Sequence, residues 1–508
     1  MKNFRNIINK FALLAAGSAM LVSCNDFLDE MPDNRTTIDT PEKVKMMLVS
    51  AYSEVLPIVV LEQMSDNTDD RGKKFNVSND LWEDAYLFQN ISSTSFDSPE
   101  EIWNANYRAI ASANHALEGV EEMIATGKAT PEEIAPQKGE ALLCRAYAHF
   151  TLCNTFCQAY NPETSATDAG IPYVTKPEKT VFVDYERGTV ADVYAMIAAD
   201  LEAGIPLIDD TKYDKPKYHF TTKAANAFAA KFYLYYGKYE QAVACATAAI
   251  GEDPTPNFRN WEAFNEAGST PAEYTNAYNT TDEAANLFVQ GVSSLSGRLF
   301  SGRYVTTRNK INETAQSGGP WGSQLPFFGD FPIFQNQNTS MFVPKQYEYF
   351  MYTDIVQGIG QPYVITVPFT VEKTIVDRAE AYAMAGDFEN AVRDLNYFYK
   401  QAGYTRELSV DQIVEYYAAG ESVNSLTFAS RFPIAEGTQN GLVQACLHAR
   451  RTLTIHEGDR ALDLKRYGVA FTHIVDAAEN VTIEPYDKRL AVQLPSAVIS
   501  AGIPANPR

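Results

Sequence analysis

Two stretches of this chain repeat one spacing of ring and small side chains, and that spacing restricts the fold more than any other feature. The first holds Tyr233, Gly237, Tyr239, Ala242, Ala249 and Pro254. The second holds Tyr382, Gly386, Phe388 and Ala391 at the same offsets of four, two and three. Small residues let antiparallel helices approach, rings fill the space between them, and glycine suits the turn that joins them. Each stretch is expected to be a helix pair, within helical runs at about 222–251 and 371–403.

The spacing resembles the tetratricopeptide pattern. Thr40-Pro41-Glu42-Lys43 reads as a further helix start, with a capping threonine, proline at the first position and an acid in the first turn. Val44, Met47, Leu48, Ala51 and Val55 continue it at helical spacing. More helices are predicted at about 98–126, 130–154, 189–206 and 442–469. In the second of these Leu142, Ala146 and Phe150 fall four apart beside Leu143 and Tyr147, as in a helix buried over much of its girth. The expected organisation is a signal segment (1–23), a tether (24–40), a helical scaffold (41–252), a loop-rich region (253–370), a second helical part (371–470) and an extended end (471–508). The fold class is mainly α, a tetratricopeptide-like scaffold supporting an irregular, loop-rich ligand-binding part.

The first two dozen residues carry a different message. Lys2, Arg5 and Lys10 precede a short apolar run from Phe11 to Val22, which reads as a secretory signal and is too short for a membrane-spanning helix. Its ending, Leu21-Val22-Ser23-Cys24, resembles a bacterial lipobox, which implies lipidation at Cys24. Asp26, Asp29 and Glu30 follow, similar to a surface-export signal. The 508-residue chain has a formal net charge of −22, which repels nucleic acid and anionic headgroups alike. With Cys24 assigned to lipid, Cys144, Cys153, Cys157, Cys245 and Cys446 remain. An odd number within helical stretches argues for core packing rather than a disulfide framework.

Several further motifs resemble one family in order along the chain. They are Asp26-Phe27-Leu28-Asp29; Ile102-Trp103, Tyr107, Ile110 and Asn114; Glu140-Ala141-Leu142, Arg145-Ala146-Tyr147 and Phe150; Gly170-Ile171-Pro172-Tyr173-Val174; and Glu457-Gly458-Asp459-Arg460, Asp463-Leu464, Arg466 and Tyr467-Gly468. The chain resembles the SusD/RagB family of outer-membrane nutrient-binding lipoproteins, with Tyr467 in place of the usual tryptophan. The resemblance implies a non-enzymatic protein held by lipid on the outer face of the outer membrane. It would capture oligosaccharide and deliver it to a SusC-like TonB-dependent transporter. The alternatives are a peptide ligand, as in the RagB branch, a purely protein-binding scaffold, or a surface hydrolase.

A sugar-binding site needs aromatic faces together with amides and carboxylates. The run Ser317–Pro332 offers Trp321, Phe327, Phe328 and Phe331, with Gln324, Asp330, Asn336 and Asn338 nearby. Gly and Pro around Trp321 suggest exposure, so Trp321 leads; Trp82 and Trp261 are secondary candidates. Trp103 sits on a periodic helix and is expected in the core. No cofactor is implied. The cluster Asp66-Asn67-Thr68-Asp69-Asp70-Arg71-Gly72 fails as an EF-type calcium loop, since its sixth residue is Arg71 and its twelfth is Val77, and it reads as a solvated turn. His456-Glu457 does not complete a zinc-protease motif, and no P-loop or nucleophile elbow is present. Arg460 with Asp463 and Arg466 is expected to form a structural ion network.

Overall fold

Helix starts lie where capping chemistry places them. The computed structural model describes residues 38–508 except 78, 181–182, 337–338 and 421. Cys24, the lipobox-like segment, the acidic tether and Asn338 lie outside the described residues. Pro41–Leu48 (α1) begins under Thr40, whose hydroxyl accepts from the Lys43 N–H. It stops earlier than the spacing to Val55 suggests, turning into a 3-10 segment at Val49–Ala51. Ile58–Gln63 (α2) and Asp80–Tyr86 (α3) are short, whereas Pro99–Ala125 (α4) and Pro131–Phe156 (α5) are long. Thr130 and Glu133 form a capping box at the head of α5. From Gly139 to Phe156 every residue of α5 is buried, and Val190–Gly204 (α6) packs along it.

The repeated spacing folds as helix pairs. Thr222–Tyr235 (α7) and Tyr239–Ile250 (α8) form the first; Val371–Ala385 (α9) and Phe388–Gln401 (α10) form the second, with α8 packed on α9. The glycines at both turns hold positive φ, +71° at Gly237 and +84° at Gly386. A Cβ on Gly237 would also come within 2.3 Å of the Phe432 ring. Val410–Ala418 (α11) and Thr438–Leu453 (α12) complete this layer.

The run predicted as helical over 442–469 is broken. After α12 the backbone reverses through His456 (φ +69°) and Gly458 (φ +83°) before Asp459–Tyr467 (α13) begins. The exposed amides at this break are taken by a distant residue. The Glu62 carboxylate on α2 accepts from the N–H groups of His456 and Gly458, at 3.0 Å each.

The stretch 253–370 is more ordered than its composition suggests. It contains short helices at Trp261–Asn265 and Pro271–Asn279 and a three-stranded antiparallel sheet. The strands are Asn286–Val292 (β1), Tyr349–Asp354 (β2) and Ile359–Thr370 (β3), in the order β1-β3-β2. The β1–β3 pairing is long-range, and Pro362 and Pro368 interrupt the alternation of β3, so the sheet has no clear local signal. The inner end of the sheet plugs into the scaffold. Phe288 of β1 stacks on Phe220 at 5.1 Å, and Phe369 of β3 meets Phe228 of α7 at 5.9 Å and Tyr147 of α5 at 5.7 Å. Each such buried ring contributes about 2–3 kcal/mol, which anchors β3 while its outer end extends away with β2.

Candidate functional site

The loop candidates do not stand where their composition suggests. Trp321 is only 4 % exposed, packed on Tyr399 and His448 at ring distances of 5.1 and 4.9 Å. Its glycine neighbours serve the opposite purpose to exposure. The chain turns tightly between Gly319 and Gly322, and a Cβ on Gly319 would lie 2.3 Å from the indole, so glycine there lets the ring fold back inward. Trp261, Phe328 and Phe331 form one buried cluster with ring distances of 5.0, 5.2 and 4.8 Å. Trp82 is buried on α3. The expectation that these five rings offer faces to a ligand is therefore corrected, because scaffold side chains cover them. Phe327 is half-buried, Gln324 lies partly exposed across Gly329, and Asp330 is exposed. Asn336 ends the short strand Phe334–Asn336. Trp103 is in the core against Phe156, as predicted.

Exposed rings gather instead on the β2–β3 hairpin. Tyr347, Phe350, Met351, Tyr352, Ile355, Val356 and Ile359 are all exposed within one short segment, reaching 96 % at Val356. Tyr349 pairs across the ladder with Tyr363 (ring distance 5.4 Å), and Tyr347 meets Tyr349 edge-on at 5.1 Å. Alternate strand residues point to opposite faces, so Phe350 and Tyr352, 4.9 Å apart, form a second pair on the other side. Gly360 makes this possible: a Cβ there would meet the Met351 carbonyl at 2.2 Å and the Phe350 ring at 2.7 Å. The turn is held by Asp354, whose Oδ1 accepts from the N–H groups of Val356 and Gln357 at 2.9 Å, and by Gly358 at φ +68°.

Polar groups flank the tyrosine ledge. The Tyr349 hydroxyl donates to Asn276 Oδ1 at 2.6 Å, and burial pushes its pKa up. Glu348 receives two hydrogen bonds from Arg298, which raise the arginine's pKa. Ring faces beside an amide, a carboxylate and a guanidinium suit a ligand that alternates apolar faces with hydroxyls. The sequence signal was the cluster Tyr347-Glu348-Tyr349-Phe350-Met351-Tyr352, which lies within the loop-rich region 253–370.

Two interior features do less. A cavity of about 100 Å³ lies between Tyr147, Phe150, Lys231, Phe369, Asp459 and Leu462. Ligand pockets usually start near about 300 Å³, so it has room for a few waters only. Ser317 Oγ lies 2.7 Å from His448 Nε2, the spacing of a nucleophile and its base, but Tyr417 rather than a carboxylate occupies Nδ1. Both residues are buried beneath Trp321, and burial lowers the His448 pKa to about 3.

Comparison with known proteins agrees with this architecture. A SusD-like family model, described as starch-binding and associating with the outer membrane, matches residues 26–234. No curated protein matches the chain. Among solved structures, a SusD superfamily protein from Bacteroides vulgatus superposes with a TM-score of 0.64 at 16 % identity, covering 93 % of this chain and 99 % of its own. A SusD superfamily protein from Bacteroides fragilis gives 0.63 at 17 %, covering 92 % and 99 %. A SusD-like carbohydrate binding protein from Bacteroides vulgatus gives 0.62 at 16 %, covering 91 % and 96 %. At these identities the structural likeness is one of fold. The chain has a SusD-like fold.

In this SusD-like fold the family-like motifs turn out to be scaffold parts. Arg145 grips Asp200 with two hydrogen bonds (2.8 and 2.7 Å) and donates to Asn114 at 2.9 Å. Tyr173 donates to the same Asp200 at 2.6 Å. Gly170 is required because a Cβ would lie 2.6 Å from the Thr189 carbonyl oxygen. At the C-terminal motif, Arg450 binds Asp377, Glu380 and Asp463, and Arg466 shares Glu380 and Asp463. The two arginines hold the Glu380 carboxyl down at about 2 against the opposing effect of burial. Arg460 does not pair with Asp463 as expected. It grips Asp66 at 2.7 and 2.8 Å, and Arg451 lies 3.6 Å from the same carboxylate. The segment 66–72 is thus an ion-paired joint rather than a solvated turn: Asp70 is paired with Arg303, and Asn67 and Thr68 are buried. Among the described residues no cluster of three or more metal-ligating side chains occurs.

Proposed function

We propose that this SusD-like chain is a cell-surface lipoprotein that captures oligosaccharide and delivers it to a SusC-like TonB-dependent transporter. The observation that carries the reading is the tyrosine ledge of exposed Tyr347 and half-buried Tyr349 and Tyr363, flanked by Asn276 and the Glu348–Arg298 pair. Stacking on such a ledge is shallow, which suits a ligand that must be released again. The family description and the carbohydrate-binding relative point the same way. Phe327, Gln324 and Asp330 form a second accessible locus for the same ligand.

The reading is of binding without catalysis, and the Ser317–His448 pair is buried. Attachment would be through lipid on Cys24; no described helix is long and apolar enough to cross a membrane. Calorimetry of the whole chain against a glycan panel and a peptide pool tests it. Saturable glycan binding, weakened about tenfold or more by Tyr349→Ala, is expected. Turnover of a glycan, or binding of peptides alone, overturns it.

A further inference from the structure

The two outer strands of the small sheet end differently. The far side of β1 is covered: Gln290 Nε2 donates to the Ser53 carbonyl at 2.6 Å, and just past the strand the Ser293 N–H donates to the Glu54 carbonyl at 2.7 Å. The far side of β2 is open. Among the described residues β3 is its sole strand neighbour, and no backbone hydrogen bond from Tyr349–Asp354 reaches another segment. Alternate residues of this six-residue strand therefore hold their N–H and C=O toward solvent along roughly 20 Å. Folded chains usually protect such an edge with lysine, proline or a short strand. Here the edge carries Phe350, Met351 and Tyr352 instead and ends in the exposed Ile355 and Val356.

We propose that the open edge of β2 is a docking site for an extended, uncharged or basic polypeptide segment of another protein, added as a fourth strand. Strand addition satisfies the unpaired backbone groups, and alternate apolar side chains of the guest cover Phe350 and Tyr352 on one face and Met351 on the other. Charge selects against acidic guests. From Tyr347 to Thr370 the only charged residues are Glu348 and Asp354, on a chain of net charge −22. A second copy of this chain would bring the same charge. A lipid bilayer covers the apolar tip but leaves the edge N–H and C=O groups unsatisfied, at several kcal/mol each.

The test pans a displayed library of random short peptides on the whole chain in detergent micelles, with counter-selection on the Tyr352→Lys/Val356→Lys double variant. Both substitutions lie on the surface, and an unchanged thermal midpoint confirms that the variant is folded. The strongest peptide is then N-methylated on each alternate set of its residues. Strand addition predicts that one set lowers affinity roughly tenfold or more, while the other changes it less than about twofold. It also predicts that selected peptides are poor in Asp and Glu. Peptides that do not distinguish the variant, or equal effects of the two N-methylated sets, overturn the proposal. So does concentration-dependent dimerisation lost in the variant, or vesicle binding that requires Val356 in the absence of peptide.

Discussion

The scaffold around Arg450 and the β2–β3 hairpin solve opposite problems with the same kinds of side chain. In the scaffold, charges and rings are sealed in and matched to one another: Arg450 is 2 % exposed and touches three carboxylates. On the hairpin, rings lie open and backbone groups are left without neighbours. Residues matched inside the molecule specify the fold, whereas surplus recognition chemistry on the surface is available to a partner. The family-like motifs fall in the first region and the proposed binding residues in the second.

The contrast can be broken most forcefully at Arg450. Arg450→Ala leaves Asp377, Glu380 and Asp463 without their shared cation, and a loss of about 3–5 kcal/mol in unfolding free energy is expected. Denaturant titration checks this, and a loss below about 1 kcal/mol would contradict a fold-specifying role. Trp321→Ala should cost a comparable or slightly smaller amount, about 3–4 kcal/mol, by opening a cavity beside Tyr399 and His448. If Trp321 instead stacked on ligand, the same variant would keep its thermal midpoint and lose glycan binding.

A third effect is pH-dependent. Burial lowers the His448 pKa from about 6.5 to about 3, so the folded state refuses a proton that the unfolded chain accepts. Its contribution is complete above pH 6.5 and is lost as pH falls toward 3. The stability gap between the parent chain and His448→Gln should therefore narrow over that window, as thermal melts across pH would show. Glu380, depressed to about 2, acts in the same direction from about pH 4.5 downward. The smallest stability effect belongs to the hairpin. Tyr349→Ala should change unfolding free energy by less than about 1 kcal/mol while weakening glycan binding. Equal losses in both measurements would place Tyr349 in the scaffold.

Most of the scaffold was legible along the chain because its signals are local. Thr40 and Pro41 set a helix start, Gly237 and Gly386 set two turns, and aromatic and alanine spacing set the faces that pack. The site was less legible. Gly and Pro beside Trp321 promised exposure, but whether a ring is exposed depends on what reaches it, and Tyr399 and His448 come from helices far along the chain. The sheet was missed for a related reason: β1 and β3 are separated by many residues, and the prolines of β3 obscure its alternation.

By itself the sequence determined the helix pairs, their turns and the residue types able to bind a sugar, because caps, glycine conformations and helical spacing act over a few residues. Only the tertiary structure decided which aromatics stay open. Burial and edge pairing are properties of neighbours, so Trp321 became core while the Tyr349–Asp354 strand was left facing solvent.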